Sequence, residues 1–288
     1  MTTLPDFDRV AVVVHPARRL DSALEVLSRW TREHGVELVQ PPEASRRVAA
    51  AGEVAGRDLV VALGGDGTVL NALRQAAAAG TAVLGVACGS LGALTSVDAD
   101  RIADALDRAW AGNWTPRSLP ALAVGDDRAL NDFVVVRRGA GQLAASVSVD
   151  GELYARLSGD GVIIATALGS SAYSMAAGGP IVPADTPAYV CTPLAMHGGS
   201  APPLVLAADA RLTVDVQPGH TGFEIEIDGR RRAPDGLRFE VVLRHDHATL
   251  VAFEPPGRGL VALRRRGVLT DSPRILARDA RSSPPPGA

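Results

Sequence analysis

Gly64-Gly65-Asp66-Gly67-Thr68 sets one carboxylate among three glycines, between an apolar run and an alanine-rich segment. A strand that turns into a helix at this point aims its free N–H groups outward at the positive end of the helix dipole. That is a site for an anion. Glycine lets the chain turn tightly and lets a phosphate approach the backbone. An aspartate among such amides can orient or deprotonate a hydroxyl that attacks a γ-phosphorus, or hold Mg²⁺. The bland alternative is a tight turn in which Asp66 only caps the helix. The stretch is not a dinucleotide fingerprint, because Leu70 stands where the third glycine belongs, and it lacks the Gly-Lys-Ser/Thr end of a Walker loop. The candidates are therefore a catalytic Asp66 with Gly64, Gly65, Gly67 and Thr68 binding phosphate.

A second stretch runs from Asp160 through the apolar Val162–Ala165 to Ser170, Ser171, Tyr173 and Ser174, and closes on Gly178-Gly179-Pro180. A buried strand leading into an uncharged, hydroxyl-rich loop suits hydrogen bonding to a neutral polar ligand such as a ribose or an amide. An ordinary β-loop would read the same way. His245 and His247 are two apart on an alternating run, so both fall on one side of a strand with Asp246 opposite; a solvated edge is expected rather than a metal site. Arg230–Arg232 and Arg264–Arg266 could bind phosphates or form a basic surface. Gly139–Ala144 imitates a dinucleotide pattern but joins two strands.

The elements that must carry these residues fall into two kinds. Arg9–Val14, Val36–Val39, Asp58–Leu63 and Thr81–Val86 read as strands, and they alternate with helical segments at Leu20–Trp30, Ala44–Ala55 and Val69–Ala79 and one from Asp98 to near Gly112. This βα alternation predicts an α/β domain with an open, mostly parallel sheet over residues 1–114. After Trp114 short alternating runs take over: Ala129–Val136, Leu143–Val149, Leu153–Leu157, Val162–Ala165, Leu212–Val216, Phe223–Ile227, Leu237–Leu243 and Thr249–Phe253. Asp150-Gly151 and Asp228-Gly229 are hairpin signals. An all-β second domain, sandwich-like, is expected over 115–281, with a C-terminal end free to return and pack on the first domain and a disordered tail at 282–288.

Composition narrows the chemistry. The 288 residues are 47% hydrophobic and 21% charged, enough to bury a sizeable core. All 29 basic residues are arginine. Without lysine there is no Walker lysine, no protein-kinase strand lysine and no Schiff base. A net charge of −3, from 29 basic and 32 acidic residues, argues against a nucleic-acid binder. Cys88 and Cys191 cannot build a disulfide framework or a four-cysteine zinc site and read as buried, reduced thiols. No signal segment or membrane span is expected, because Gly and Pro interrupt the charge-free stretches, so the expected location is cytoplasmic.

Taken together, the motifs resemble those of NAD kinases. Gly-Gly-Asp-Gly-Thr is matched in full at 64–68. The family's Asn-Glu pair is met by Asn131-Asp132, and its Asp-Gly, strand, Thr-x-x-Gly-Ser-Thr-Ala-Tyr-Ser and Gly-Gly-Pro by residues 160–180, with Ser171 for threonine. Thr192-Pro193 and then His197 follow in order. The resemblance spans about residues 58–230 and implies a two-domain fold with the active site between the domains. It implies transfer of a phosphoryl group from ATP or polyphosphate, with Mg²⁺, to the 2′-hydroxyl of the adenosine ribose of NAD. Asp66 resembles the general base. Asn131, Asp132, Asp160, Ser171, Ala172, Tyr173, Ser174, Met175, Ala176, His197 and Arg230 fall at substrate-binding positions. A homodimer or homotetramer is implied by the same analogy. This chain departs from the family at Ala87 (usually Asn), Ala93 (Phe), Asp132 (Glu), Pro202 (Arg) and Arg230 (Gln). These departures keep open a kinase of the same fold acting on another nucleoside or small polar alcohol, or a nucleotide-binding regulator without turnover.

Overall fold

The computed structural model describes residues 7–90, 92–253, 263–264 and 267–282. Its first part runs β1 (Arg9–Val14), α1 (Asp21–Glu33), β2 (Glu37–Gln40), β3 (Ala50–Ala51), β4 (Leu59–Gly64), α2 (Asp66–Ala77), β5 (Ala82–Ala87), β6 (Val97–Asp98) and α3 (Ile102–Trp110). The strands of this part pair in parallel, β5-β4-β1-β2-β3, with β6 beside β5. β4 shows why its run is continuously apolar. Leu59, Val61 and Leu63 pack against α1 and α3 on one face, while Val60 and Ala62 pack against Val69 and Leu73 of α2 on the other.

The helix expected over Ala44–Ala55 does not form. That segment carries the two-residue strand β3, which pairs Val39 with Ala50 and Gln40 with Ala51. The alanines there supply propensity but no apolar stripe. The buried Gln40 side chain takes the Val48 N–H and donates to the Arg46 carbonyl, which holds the segment extended.

Beyond α3 come β7 (Thr115–Val124), β8 (Asp127–Ala129), β9 (Asp132–Arg137), β10 (Leu143–Val149), β11 (Glu152–Gly159), β12 (Gly161–Thr166), α4 (Tyr173–Ala176), β13 (Ala188–Leu194), β14 (Leu204–Ala207), β15 (Leu212–Gln217), β16 (Phe223–Ile227), β17 (Arg230–Arg232) and β18 (Arg238–Ala252). One antiparallel sheet has the order β14-β13-β12-β9-β16-β17. It packs on β11-β10-β15-β18 through a core that includes Phe133, Ile164, Tyr189, Val214 and Phe239. Both hairpins expected from sequence form, with left-handed backbone at Asp150 and Gly151 and at Asp228 and Gly229.

β18 joins the two parts, pairing antiparallel with β15 at one end and parallel with β5 at the other. Its register against β7 shifts between Arg244 and Ala248, where Asp246 has φ 55°. This bulge breaks the alternation expected at His245–His247: His245 is exposed and His247 half-buried. The last helix, α5, spans Pro273–Ser282, so Ser282 is helical; residues 283–288, like Leu91, Arg265 and Arg266, lie outside the described residues. Among the described residues no helix is long and apolar enough to cross a membrane.

Candidate active site

In an open parallel sheet, ligands bind beyond the carboxyl ends of the strands where the connections diverge. Here β1 leaves through α1 towards β2, and its neighbour β4 leaves through α2 towards β5. A cleft of about 350 Å³ lies at that fork. The loop after β1 lines it with Val14, His15, Pro16 and Arg18, and the start of α2 with Gly65, Asp66, Gly67, Thr68 and Asn71.

Asp66 is the first residue of α2. Its carboxylate reaches across to the loop after β5, accepting the Ala93 N–H at 3.0 Å and the Leu94 N–H at 2.9 Å. Each neighbouring glycine has a separate reason. A Cβ at Gly64 would lie 2.2 Å from Thr68 Oγ1, and one at Gly92 only 1.9 Å from Asp66 Oδ1. A Cβ at Gly67 would meet nothing within 4 Å, so the backbone beside Asp66 is open to an incoming group. Thr68 is buried.

Arg18 is a residue the motif reading missed. Its Nη1 donates to the Cys88 carbonyl at 3.2 Å, and the guanidinium lies 3.7 Å from where a Gly65 Cβ would be. A fixed cation thus joins the helix N-terminus on one cleft. The signal available in sequence was positional: Arg18 follows a strand that ends at the fork.

On the β side, Asn131, Asp132 and Tyr173 lie at the β16–β17 hairpin. Asp228 accepts the N–H groups of Leu130 (3.2 Å), Asn131 (2.7 Å) and Asp132 (3.3 Å), so the turn residue also fixes the Asn-Asp pair. Asn131 is half-buried, and its carbonyl accepts the Thr166 N–H at 2.9 Å. Asp132 is 5% exposed. Burial, with Asp228 and Glu226 adding repulsion, pushes its carboxyl up to about 7. Because that value exceeds the unfolded one, the native state holds the extra proton, and stability falls as pH rises from about 4 to about 7. Asp132→Asn is therefore expected to melt above the wild type at pH 8, by about 5 °C or more, with the difference closing towards pH 4; thermal melts across that range check it.

Tyr173 is 37% exposed, and burial together with the carboxylates of Glu226, Asp132 and Asp160 raises its phenol. Asp160 receives Arg137 Nε at 2.5 Å, and this ion pair holds its carboxyl below the usual range, helped by the nearby exposed His197. The hydroxyl-rich segment is mostly turned inward. Thr166 bonds the Leu130 carbonyl, Ser170 the Ala167 and Val182 carbonyls, and Ser174 Oγ meets Thr192 Oγ1 at 2.8 Å, all three side chains fully buried. Ser171 and Met175 are half-buried, while Ala172, Tyr173 and Ala176 are exposed. These exposed groups, rather than the buried hydroxyls, face outward.

The two groups of residues do not share the 350 Å³ cleft, whose lining holds none of the β-side positions. They are joined along one face of α2. Asn71 lines the cleft and accepts Arg74 Nη2 at 3.0 Å, and half-buried Arg74 feels both Arg230 and Asp228. Leu130 and Leu168 pack into the same core as Leu70 and Leu73 of α2, so the chain before Asn131 and the chain before Gly169 rest on that helix. In the arginine run, Arg231 pairs with Glu226 at 2.6 Å and Arg232 with Asp127, whereas Arg230 is exposed with no ion pair among the described residues.

Comparison with known sequences agrees with this layout. The ATP-NAD kinase N-terminal domain matches residues 10–114, and the ATP-NAD kinase C-terminal domain matches residues 130–250. The NAD kinase of Koribacter versatilis is 33% identical over 258 residues, covering 83% of this chain and 90% of that one. The chain belongs to the ATP-NAD kinase family. The NAD kinase of Gemmatimonas aurantiaca is 37% identical over 220 residues, 65% of this chain and 76% of its own. In fold, yeast NADH kinase complexed with NADH superposes with a TM-score of 0.76 at 22% identity, over 93% of this chain and 89% of that one. An NAD kinase from Archaeoglobus fulgidus in complex with ATP gives 0.72 at 21% identity, over 91% and 100%.

Against that family background, the departures fall in distinct places. Ala93 holds Asp66 through its backbone N–H, a contact that the missing aromatic does not affect. Ala87 is buried at the end of β5, paired with Gly64. The Pro202 carbonyl accepts the Tyr154 hydroxyl.

Proposed function

We propose that this chain transfers the γ-phosphoryl group of ATP to the 2′-hydroxyl of the adenosine ribose of NAD, giving NADP. The observation that carries the reading is Asp66, fixed by two backbone N–H groups at the head of α2, beside the open face of Gly67 and within a cleft that also holds Arg18. The N–H groups at the start of α2 and the Arg18 guanidinium suit the phosphates. Asp66 accepts the proton of the attacking hydroxyl, which needs a carboxylate held in place rather than one free to rotate.

Asn131, Asp132, Asp160, Tyr173 and His197, with Ser171–Ala176, supply contacts for the acceptor, and Arg230 a cation for its phosphates. Support comes from Asn131 and Asp132 being held by the turn of the β16–β17 hairpin, from Tyr173 facing Glu226 of that hairpin, and from Arg230 lacking a carboxylate partner among the described residues. Asp66 is the one carboxylate lining the cleft, and no group of three or more metal-binding side chains occurs among the described residues. Mg²⁺ then enters with the nucleotide, as MgATP. The analogy extends to a cytoplasmic homodimer or homotetramer, for which the exposed Leu153 and Val205 on edge strands give apolar surface.

The test is direct. The purified chain with MgATP and NAD is expected to form NADP, read by an NADP-specific dehydrogenase. ATP-dependent phosphorylation of another alcohol with none of NAD would replace the acceptor and favour the reading suggested by Asp132 and Ala93. Binding of NAD without turnover of any acceptor would reduce the protein to a nucleotide-binding regulator.

A further inference from the structure

The peptide unit between Ala93 and Leu94 stands between two charges. Its N–H, on Leu94, donates to Asp66 Oδ1 at 2.9 Å. Its C=O, on Ala93, accepts Arg117 Nη1 at 3.2 Å. Guanidinium, peptide dipole and carboxylate thus form one line of aligned hydrogen bonds, and such bonds polarise and strengthen each other. Arg117 is itself held. It sits on β7 opposite Leu250 of β18, is largely buried, and its Nη2 lies 3.5 Å from Asp185 in the chain after Gly178-Gly179-Pro180. Its Nε is buried with no acceptor among the described residues. Burying an arginine with one donor unsatisfied is costly, so the retained contacts mark what the residue is placed to do.

We propose that Arg117 is a positioning residue for Asp66: it locks the plane of the Ala93–Leu94 peptide so that its N–H faces the carboxylate. Through Asp185 it also ties that peptide to the segment that follows the predicted acceptor-binding residues. This rests on the reading of Asp66 as the base. If the 93–94 peptide rotated, its carbonyl would turn towards the carboxylate, and repulsion would drive Asp66 off its position. No local sequence pattern carries this, since the contact joins residues 24 apart.

The experiment compares Arg117→Gln and Arg117→Lys with wild type by steady-state kinetics, thermal melting and amide hydrogen exchange at Ala93 and Leu94. Arg117→Gln is expected to lower kcat about 10- to 100-fold, with KM for NAD and for MgATP within about twofold. Exchange at Ala93 and Leu94 is expected to quicken while the amides of β4 and β5 keep their protection. Arg117→Lys, which can still donate to the Ala93 carbonyl, is expected to recover most of kcat and protection. Unchanged exchange at Ala93 and Leu94 in Arg117→Gln would overturn the proposal, as would faster exchange spread evenly through the α/β domain. If the wild type itself makes no NADP, the kinase reading fails, and the exchange measurement still decides the role of Arg117.

Discussion

Asp66→Asn is expected to cut kcat for NADP formation by about 10²- to 10⁴-fold, the range that general-base catalysis supplies. The substitution keeps size and shape but cannot take up a proton at neutral pH. It also tests the cradle. The carboxylate accepts one N–H at each oxygen, from Leu94 and from Ala93. An amide offers one oxygen and one NH₂, so one backbone N–H would face a donor and lose its partner. That mismatch costs about 1–3 kcal/mol, so the variant should melt a few degrees lower yet stay folded. Kinetics on the folded variant, alongside its melt, separate the two effects. Retention of more than about a tenth of kcat would leave Asp66 as a structural cap and nothing more.

Legibility in the sequence followed the range of the interactions. Gly64–Thr68 was readable because the turn, the helix start and the carboxylate are contiguous. Asp150-Gly151 and Asp228-Gly229 were readable because only certain residues tolerate the left-handed pair that each hairpin uses. Among the strands not foreseen, the three of four residues or more have proline in them or beside them. β7 contains Pro116 and Pro120, β13 contains Pro193, and β14 follows Pro202-Pro203. Proline lacks the ladder donor, which argues against a strand when only the sequence is in view. In the fold, Pro120 falls opposite the bulge in β18, where the register already skips.

The site residues that escaped are those whose meaning depends on distant partners. Arg18 finds the Cys88 carbonyl 70 residues away, and Asp228 finds the N–H groups of Leu130–Asp132 nearly 100 residues away. Composition blurred others. With arginine as the whole basic complement, a functional guanidinium such as Arg117 looks like any surface one. The hydroxyl-rich segment hides its long-range bonds in the same way. Ser170 Oγ donates to the Val182 carbonyl and Ser174 Oγ meets Thr192 Oγ1 of β13, both beyond the segment. Their contribution is to hold a short turn rigid so that Tyr173 and Ala172 can face outward.

Gly92→Ala carries the second large effect, and it needs no change in charge. The added Cβ would sit 1.9 Å from Asp66 Oδ1 and 2.5 Å from its Cγ, inside any van der Waals contact. Gly92 has no left-handed backbone, so the methyl is resisted by the carboxylate and not by conformational strain. Either the Asp66 side chain leaves the Ala93 and Leu94 amides, or the loop moves with them. Neither keeps the base where Gly67 opens the cleft. Displacement by an ångström or more at a reacting group costs about 10²-fold in rate, and overpacking costs about 1–3 kcal/mol in stability. The variant should therefore be folded, several degrees less stable, and catalytically close to Asp66→Asn. Combining the two substitutions should add little further loss in kcat, because both act on one carboxylate. Gly92→Ala with kcat within about threefold of wild type would mean that Asp66 leaves the Ala93–Leu94 cradle during turnover, and that its position in this fold is a resting one.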